Sequence, residues 1–203
     1  MKILEEITKD LDWREKEIAA IKLLLKNQGV TKGQKEALLR AAWAMLYAHY
    51  EGFAKFCLTI FFDEVTQRSV TCSLLPKYTK EFALRRAIKK LKSLSTIDAM
   101  DELLNFNQHL ISVPSFPDVD TKSNLWPELL KRLYAMADLN ANVIDKHAAK
   151  LRTLVARRNS IAHGENNLIT EYDYYKSYED AVYEFMYDLA YQIDSRLAIA
   201  PYN

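Results

Sequence analysis

The chain has 203 residues, 49% of them hydrophobic, which is enough apolar material to bury one core and too much for a disordered segment. Its 28 basic residues face 27 acidic ones, so no global field draws it to nucleic acid or to a membrane, and any basic surface must be local. Only 4 glycines and 5 prolines punctuate it, and the opening MKILEEITKDLDWREKE is too acidic for a signal peptide; a cytoplasmic, non-membrane protein of long helices is expected.

From Ile3 to Lys26, apolar residues recur in steps of three, four and seven between charges, which predicts an amphipathic helix. After Gly29 and Gly33, the stretch QKEALLRAAWAMLYAHYEGFAKFCLTIFFDEV becomes apolar nearly all round and predicts the central, most buried helix. Cys57 lies in that run and Cys72 in the linker after it, with neither metal-type spacing nor a disulfide framework. TKEFALRRAIKKLKS resumes the helical pattern, with Arg85, Arg86, Lys89 and Lys90 away from the apolar positions; a solvated face or a phosphate site both suit them.

A shorter helix is predicted over Thr96 to Leu110, followed by SVPSFPDVDTKSN, the longest irregular connection. Pro127 suits the first turn of PELLKRLYAMADL, and a further helix runs from Asn142 to His163, stopped by Gly164. The last helix ends near Ala200 and starts at a capping box, either Thr170 with Asp173 or Ser177 with Asp180. With no repeat and no β pattern, one all-α domain of about seven helices spans 1–203.

Polar chemistry interrupts a well-formed helix at LRTLVARRNSIAHGE. Leu151, Leu154, Val155, Ile161 and Ala162 form an apolar stripe, and Arg158 falls in its middle, where an unpaired cation would be costly. Arg157 projects to the side. Arg152, Asn159 and His163 share a neighbouring face at offsets of seven and four, which puts the imidazole over the amide. Arg158 and His163 stand roughly 140° apart on an ideal helix, so they converge only where the helix ends, and Gly164 supplies that ending.

RNSIAH resembles the motif of the HEPN (higher eukaryotes and prokaryotes nucleotide-binding) nucleases: an Arg, a polar residue, three further positions and a His. The extended RNSIAHGE, with LYAHYEGFAKF and TKSNLWPELLKRLYAMADL in the expected order, is similar to the stand-alone MAE-like branch over most of the chain. The resemblance implies a HEPN-type helical bundle and an endoribonuclease without metal or other cofactor. It also implies two protomers that set their motifs side by side in a cleft of a homodimer. A toxin or phage-defence effector, held by an antitoxin or a neighbouring defence protein, fits that activity.

The residue types suit the chemistry. An imidazole with an ordinary pKa of about 6.5 can take a proton from a ribose 2′-hydroxyl or give one to the leaving 5′-oxygen. A guanidinium offers a permanently charged fork to phosphate oxygens. His163 and Arg158 take these roles, Asn159 orients the imidazole or the phosphate, and Arg152 and Arg157 are further substrate contacts. Glu165 matches the extended pattern, although a surface carboxylate past a helix end explains it equally.

Each residue also has a purely structural reading. His163 suits a helix C-terminus through the dipole, and Arg158 can pair with a buried carboxylate such as Glu51. His49 falls on the apolar side of the central helix, as a core histidine or a supporting residue behind the site. Tyrosines such as Tyr174, Tyr175 and Tyr178 suit packing at helical spacing, with base stacking as the alternative. There is no Gly-rich phosphate loop, no nucleophile elbow and no Glu-x-x-His. The rival function is a non-catalytic HEPN-type module for dimerisation or for binding nucleotide or RNA.

Overall fold

The computed structural model describes residues 2–165 and 171–203, and all regular structure among them is helical. The helices are α1 (Lys2–Lys26), α2 (Lys32–Gln67), α3 (Lys77–Ser93), α4 (Thr96–Asn105), α5 (Asn107–Ile111), α6 (Pro127–Met136), α7 (Asn142–Ala162) and α8 (Tyr172–Leu197), with a short 3-10 turn at Cys72–Leu74. The single helix expected over Thr96 to Leu110 is interrupted at Phe106 into α4 and α5, which brings the expected count of about seven to eight α-helices among the described residues.

Two helix starts differ from the sequence pattern for local reasons. Thr31 and Gln34 form a reciprocal capping box, which starts α2 at Lys32 and takes Gly33 into its first turn. α8 starts at Tyr172 with Glu171 as its cap, and Ser177 lies inside it with its hydroxyl bonded back to the Tyr174 carbonyl. Thr170 lies outside the described residues.

α2 is the axis of the bundle, in contact with α1, α7 and α8. Its Leu46, Phe53, Leu58 and Phe61 meet Tyr175, Phe185 and Leu189 of α8 in one apolar cluster, all fully buried. Burying each such side chain contributes about 1.5–3 kcal/mol. Lys22 of α1 donates to the buried carboxylate of Glu179 on α8 at 2.5 Å, which joins the first helix to the last. α6 packs against both α3 and α7, and so carries the α3 side of the molecule to the motif helix. No described helix is long and apolar enough to cross a membrane.

The irregular connection before α6 is packed down rather than looped over a cleft. Phe116 rests on Phe62 and Phe82, Thr66 donates to the Pro114 carbonyl, and Val119, Thr121 and Leu125 are buried. Its end reaches the motif.

Candidate active site

α7 ends as its last residues require. Gly164 takes φ +77°, a left-handed conformation open to glycine at little steric expense. Its N–H donates to the Ile161 carbonyl at 3.1 Å, and the Glu165 N–H reaches the Ser160 carbonyl at 2.9 Å. Together these two bonds satisfy carbonyls that the helix end leaves orphaned. Arg40 of α2 donates to the Glu165 carbonyl at 2.8 Å and ties the chain just past the helix to the core. His163 is therefore the C-cap on a fixed helix end, and its side chain is exposed.

Arg158 sits one turn earlier and half-buried, and it is held from two sides. Its guanidinium carbon stacks 4.0 Å from the ring centroid of Tyr47 on α2. Burial pushes the Tyr47 phenol up, which keeps the ring neutral beneath the cation. From the other side, Nη2 donates to the Ser123 carbonyl at 2.7 Å and to Asn124 Oδ1 at 3.0 Å. The expected alternative partner, Glu51, is not used: among the described residues no ion pair joins the two, and Glu51 Oε1 is buried without a hydrogen bond.

The turn that Arg158 grips is strained. Lys122 and Ser123 adopt φ of 56° and 59°, and the Asn124 N–H closes the turn on the Thr121 carbonyl at 3.2 Å. Left-handed conformations of non-glycine residues cost of order 1–3 kcal/mol each and persist where the surroundings dictate them. Here the surroundings are Arg158 on Ser123 and two tyrosines on Leu125, whose N–H donates to Tyr47 Oη at 2.9 Å and whose carbonyl accepts from Tyr50 Oη at 3.0 Å. LYAHYEGF, TKSNLWPELL and RNSIAH thus meet in space at one guanidinium.

The remaining candidates are placed as follows. Asn159 is half-buried, and only its backbone carbonyl is bonded to His163; no hydrogen bond joins the amide to the imidazole. Arg152 is exposed and clamped on Glu128 of α6, with Nε at 2.9 Å from Oε1. Arg157 is half-exposed beside Tyr178, and Glu165 is exposed at the helix end. Leu151, Leu154 and Val155 of the predicted stripe are buried inside the protomer, while Ala162 is exposed. Tyr47, Asn124 and Arg40 were not singled out individually, although the first two lie in the segments that carry the family resemblance.

His49 is not brought to the motif. Its side chain faces α1, with Nε2 2.9 Å from Glu17 Oε2, Nδ1 3.4 Å from Arg14 Nη1, and the Trp13 ring edge-on. Gly52 leaves room for that arginine, since a Cβ there would lie 3.0 Å from Nη1. Burial and the Arg14 charge lower the His49 pKa, against the opposing pull of Glu17 and Asp10. The unfolded chain therefore takes up a proton that the folded one resists, so this contribution to stability is present above the unfolded pKa and is lost as pH falls below it. Melting temperature should decline as pH is lowered from about 7.5 to about 5.5, and His49→Gln should flatten that decline. An identical slope in the variant would assign the effect elsewhere.

No curated protein and no solved structure matches the chain. A family model does, the one described as HEPN_MAE_28990-like HEPN, and it covers residues 3–202, so the chain belongs to this HEPN family.

Proposed function

We propose that the protein is a metal-independent endoribonuclease that cleaves RNA by attack of a 2′-hydroxyl, with Arg158 and His163 as its catalytic pair. HEPN domains are often ribonucleases, so family membership supports a nuclease kind of function. The observation that carries the finer reading is an exposed imidazole on a fixed helix end and, five residues earlier on the same helix, a guanidinium held in one orientation.

In this reading His163 moves the proton, at the 2′-hydroxyl or at the leaving 5′-oxygen. Arg158 keeps Nη2 on the turn and Nε buried, and offers Nη1 to the phosphate. Asn159 orients one or the other. Arg157 adds charge, and Arg152 joins by leaving Glu128, an exposed pair worth only about 0.2–1 kcal/mol. The reading takes its nucleophile from the substrate, whose adjacent 2′-hydroxyl is already positioned for in-line attack.

The site is composite in this proposal, formed by two motifs across a homodimer. The apolar stripe of α7 is used up within the protomer, so the dimer of this proposal forms around the exposed Ala162, His163 and Gly164 instead. The setting is the cytoplasm, as a toxin or phage-defence effector restrained by an antitoxin or a neighbouring defence protein. Light scattering should find twice the 23.6 kDa protomer mass.

One observation favours the non-catalytic alternative: stacking on Tyr47 and bracing the turn account for Arg158 without any chemistry. End-group analysis separates the two. Cleavage in EDTA that leaves a 2′,3′-cyclic phosphate and a 5′-hydroxyl supports the nuclease. Tight RNA binding with no cleavage at any protein concentration supports the binding module.

A further inference from the structure

α3 carries the charge that the overall balance hides. It holds seven lysines and arginines against one acid, Glu81, a net +6 in a chain of net +1, so everything outside it sums to −5. Among the described residues only Lys90 of the seven has an ion-pair partner, Glu102 at 3.0 Å. Arg85, Arg86, Lys89 and Lys92 are exposed, and Arg85 with Lys89 and Arg86 with Lys90 stand at the spacing where like charges on a helix repel. An ordinary solvated face relieves that repulsion with interspersed acids. Among the described residues only Glu102, on Lys90, does so here, and a polyanion would relieve the rest.

The surface is also shaped. A groove of about 380 Å³ between α3 and α6 is lined by Tyr78, Glu81, Lys131, Arg132, Ala135 and Met136. A second groove adjoins it at Glu81 and is lined by Arg85, Ile88, Lys89 and Lys92. Tyr78 is 51% exposed, an aromatic ring on the wall of a groove that Arg132 and Lys131 also line, the latter paired with Asp145. Arg85 is held over the Phe82 ring, 4.9 Å from its centroid, with Nη2 3.7 Å from Met136 Sδ on α6, so the cation sits at the boundary of α3 and α6. The groove shares α6 with the motif: Arg132 lies one turn beyond Glu128, the partner of Arg152 on α7.

We propose that α3 and the α3–α6 groove form a docking track for single-stranded RNA, with phosphates on Arg85, Lys89 and Lys92 and an unpaired base on Tyr78. This rests on the RNA-cleaving reading of the α7 site and names how its substrate is held. Backbone phosphates supply the repeated negative charge that the lysines and arginines lack, and an aromatic ring accepts any base on its face. A duplex would keep its bases stacked on one another and leave Tyr78 unused. An acidic protein segment offers charge but no planar group for the tyrosine.

The test reads binding on RNA that cannot be consumed, using fluorescence anisotropy of a labelled single-stranded oligonucleotide with the His163→Ala protein over a series of salt concentrations. Three phosphate contacts on a single strand contribute about 2 to the slope of log affinity against log salt, so Arg85→Gln/Lys89→Gln/Lys92→Gln should lose about that much slope and weaken binding at least about tenfold. Tyr78→Ala should weaken it about fivefold or more at unchanged slope, whereas Tyr78→Phe should bind normally. Lys9→Gln/Lys16→Gln/Lys35→Gln, which removes the same charge from exposed positions on α1 and α2, should leave the slope nearly intact. An unchanged slope in the α3 variant overturns the proposal, as does polyglutamate binding as tightly as RNA. Because no cleavage is required, a change of slope in a protein that never cuts RNA upholds the track while refuting the α7 chemistry, and active cleavage with an unchanged slope does the reverse.

Discussion

His163→Ala should lower RNA cleavage by about a hundred- to ten-thousand-fold, the usual contribution of a positioned acid–base group, with almost no effect on folding. The asymmetry follows from its place. The imidazole is exposed at the C-cap, and the two bonds that close the helix end run through backbone groups that alanine retains. A surface change of this kind shifts stability by no more than about 0.5 kcal/mol, or about 2 °C in a chain of this size. Loss of activity with an unchanged melting curve would place His163 in the reaction. Full activity in the variant would leave it as a helix cap.

Arg158 should behave differently, because its side chain works in the fold as well as at the site. Arg158→Ala removes a cation stacked on Tyr47 and two hydrogen bonds to the strained turn, a loss of about 2–4 kcal/mol. Reduced activity in that variant is therefore uninformative by itself. Arg158→Lys is the sharper change, since the charge remains over the ring while the planar fork is lost. Cleavage by Arg158→Lys should fall by about 10²–10³-fold, the cost of one transition-state donor, at temperatures where circular dichroism shows it fully folded. Rates that recover to wild type once the variant is folded would make Arg158 a brace and nothing more.

The course of α7 was legible in the sequence because each of its signals is local. Apolar spacing marks its buried face, and Gly164 marks its end; the structure places Leu151, Leu154, Val155 and Gly164 accordingly. The partner of Arg158 was not legible. A buried carboxylate is the obvious counterpart for a cation in an apolar register, yet the cation is met by a ring and a backbone carbonyl, neither of which carries a charge that a sequence can show. The break at Phe106 was hidden because it is slight: Phe106 keeps helical dihedrals and the apolar pattern continues across it, while the N–H groups of Phe106 and His109 bond three residues back, to Leu103 and Phe106, instead of four. His49 was placed correctly among buried residues, but a periodicity gives the depth of a side chain and not which neighbour it faces. Its neighbours proved to be Arg14 and Glu17 of α1 rather than the motif.

The role of the substrate's own hydroxyl can be tested with one oligonucleotide. A single 2′-deoxy substitution at the scissile nucleotide removes the proposed nucleophile and leaves the phosphates, the bases and the flanking riboses almost unchanged. If Arg158 and His163 act as described, the parent RNA is cut at that position in EDTA, the substituted strand is not, and both bind the protein with the same affinity. Cleavage of the substituted strand at the same bond, or cleavage that requires added metal and leaves a 5′-phosphate, would contradict the mechanism.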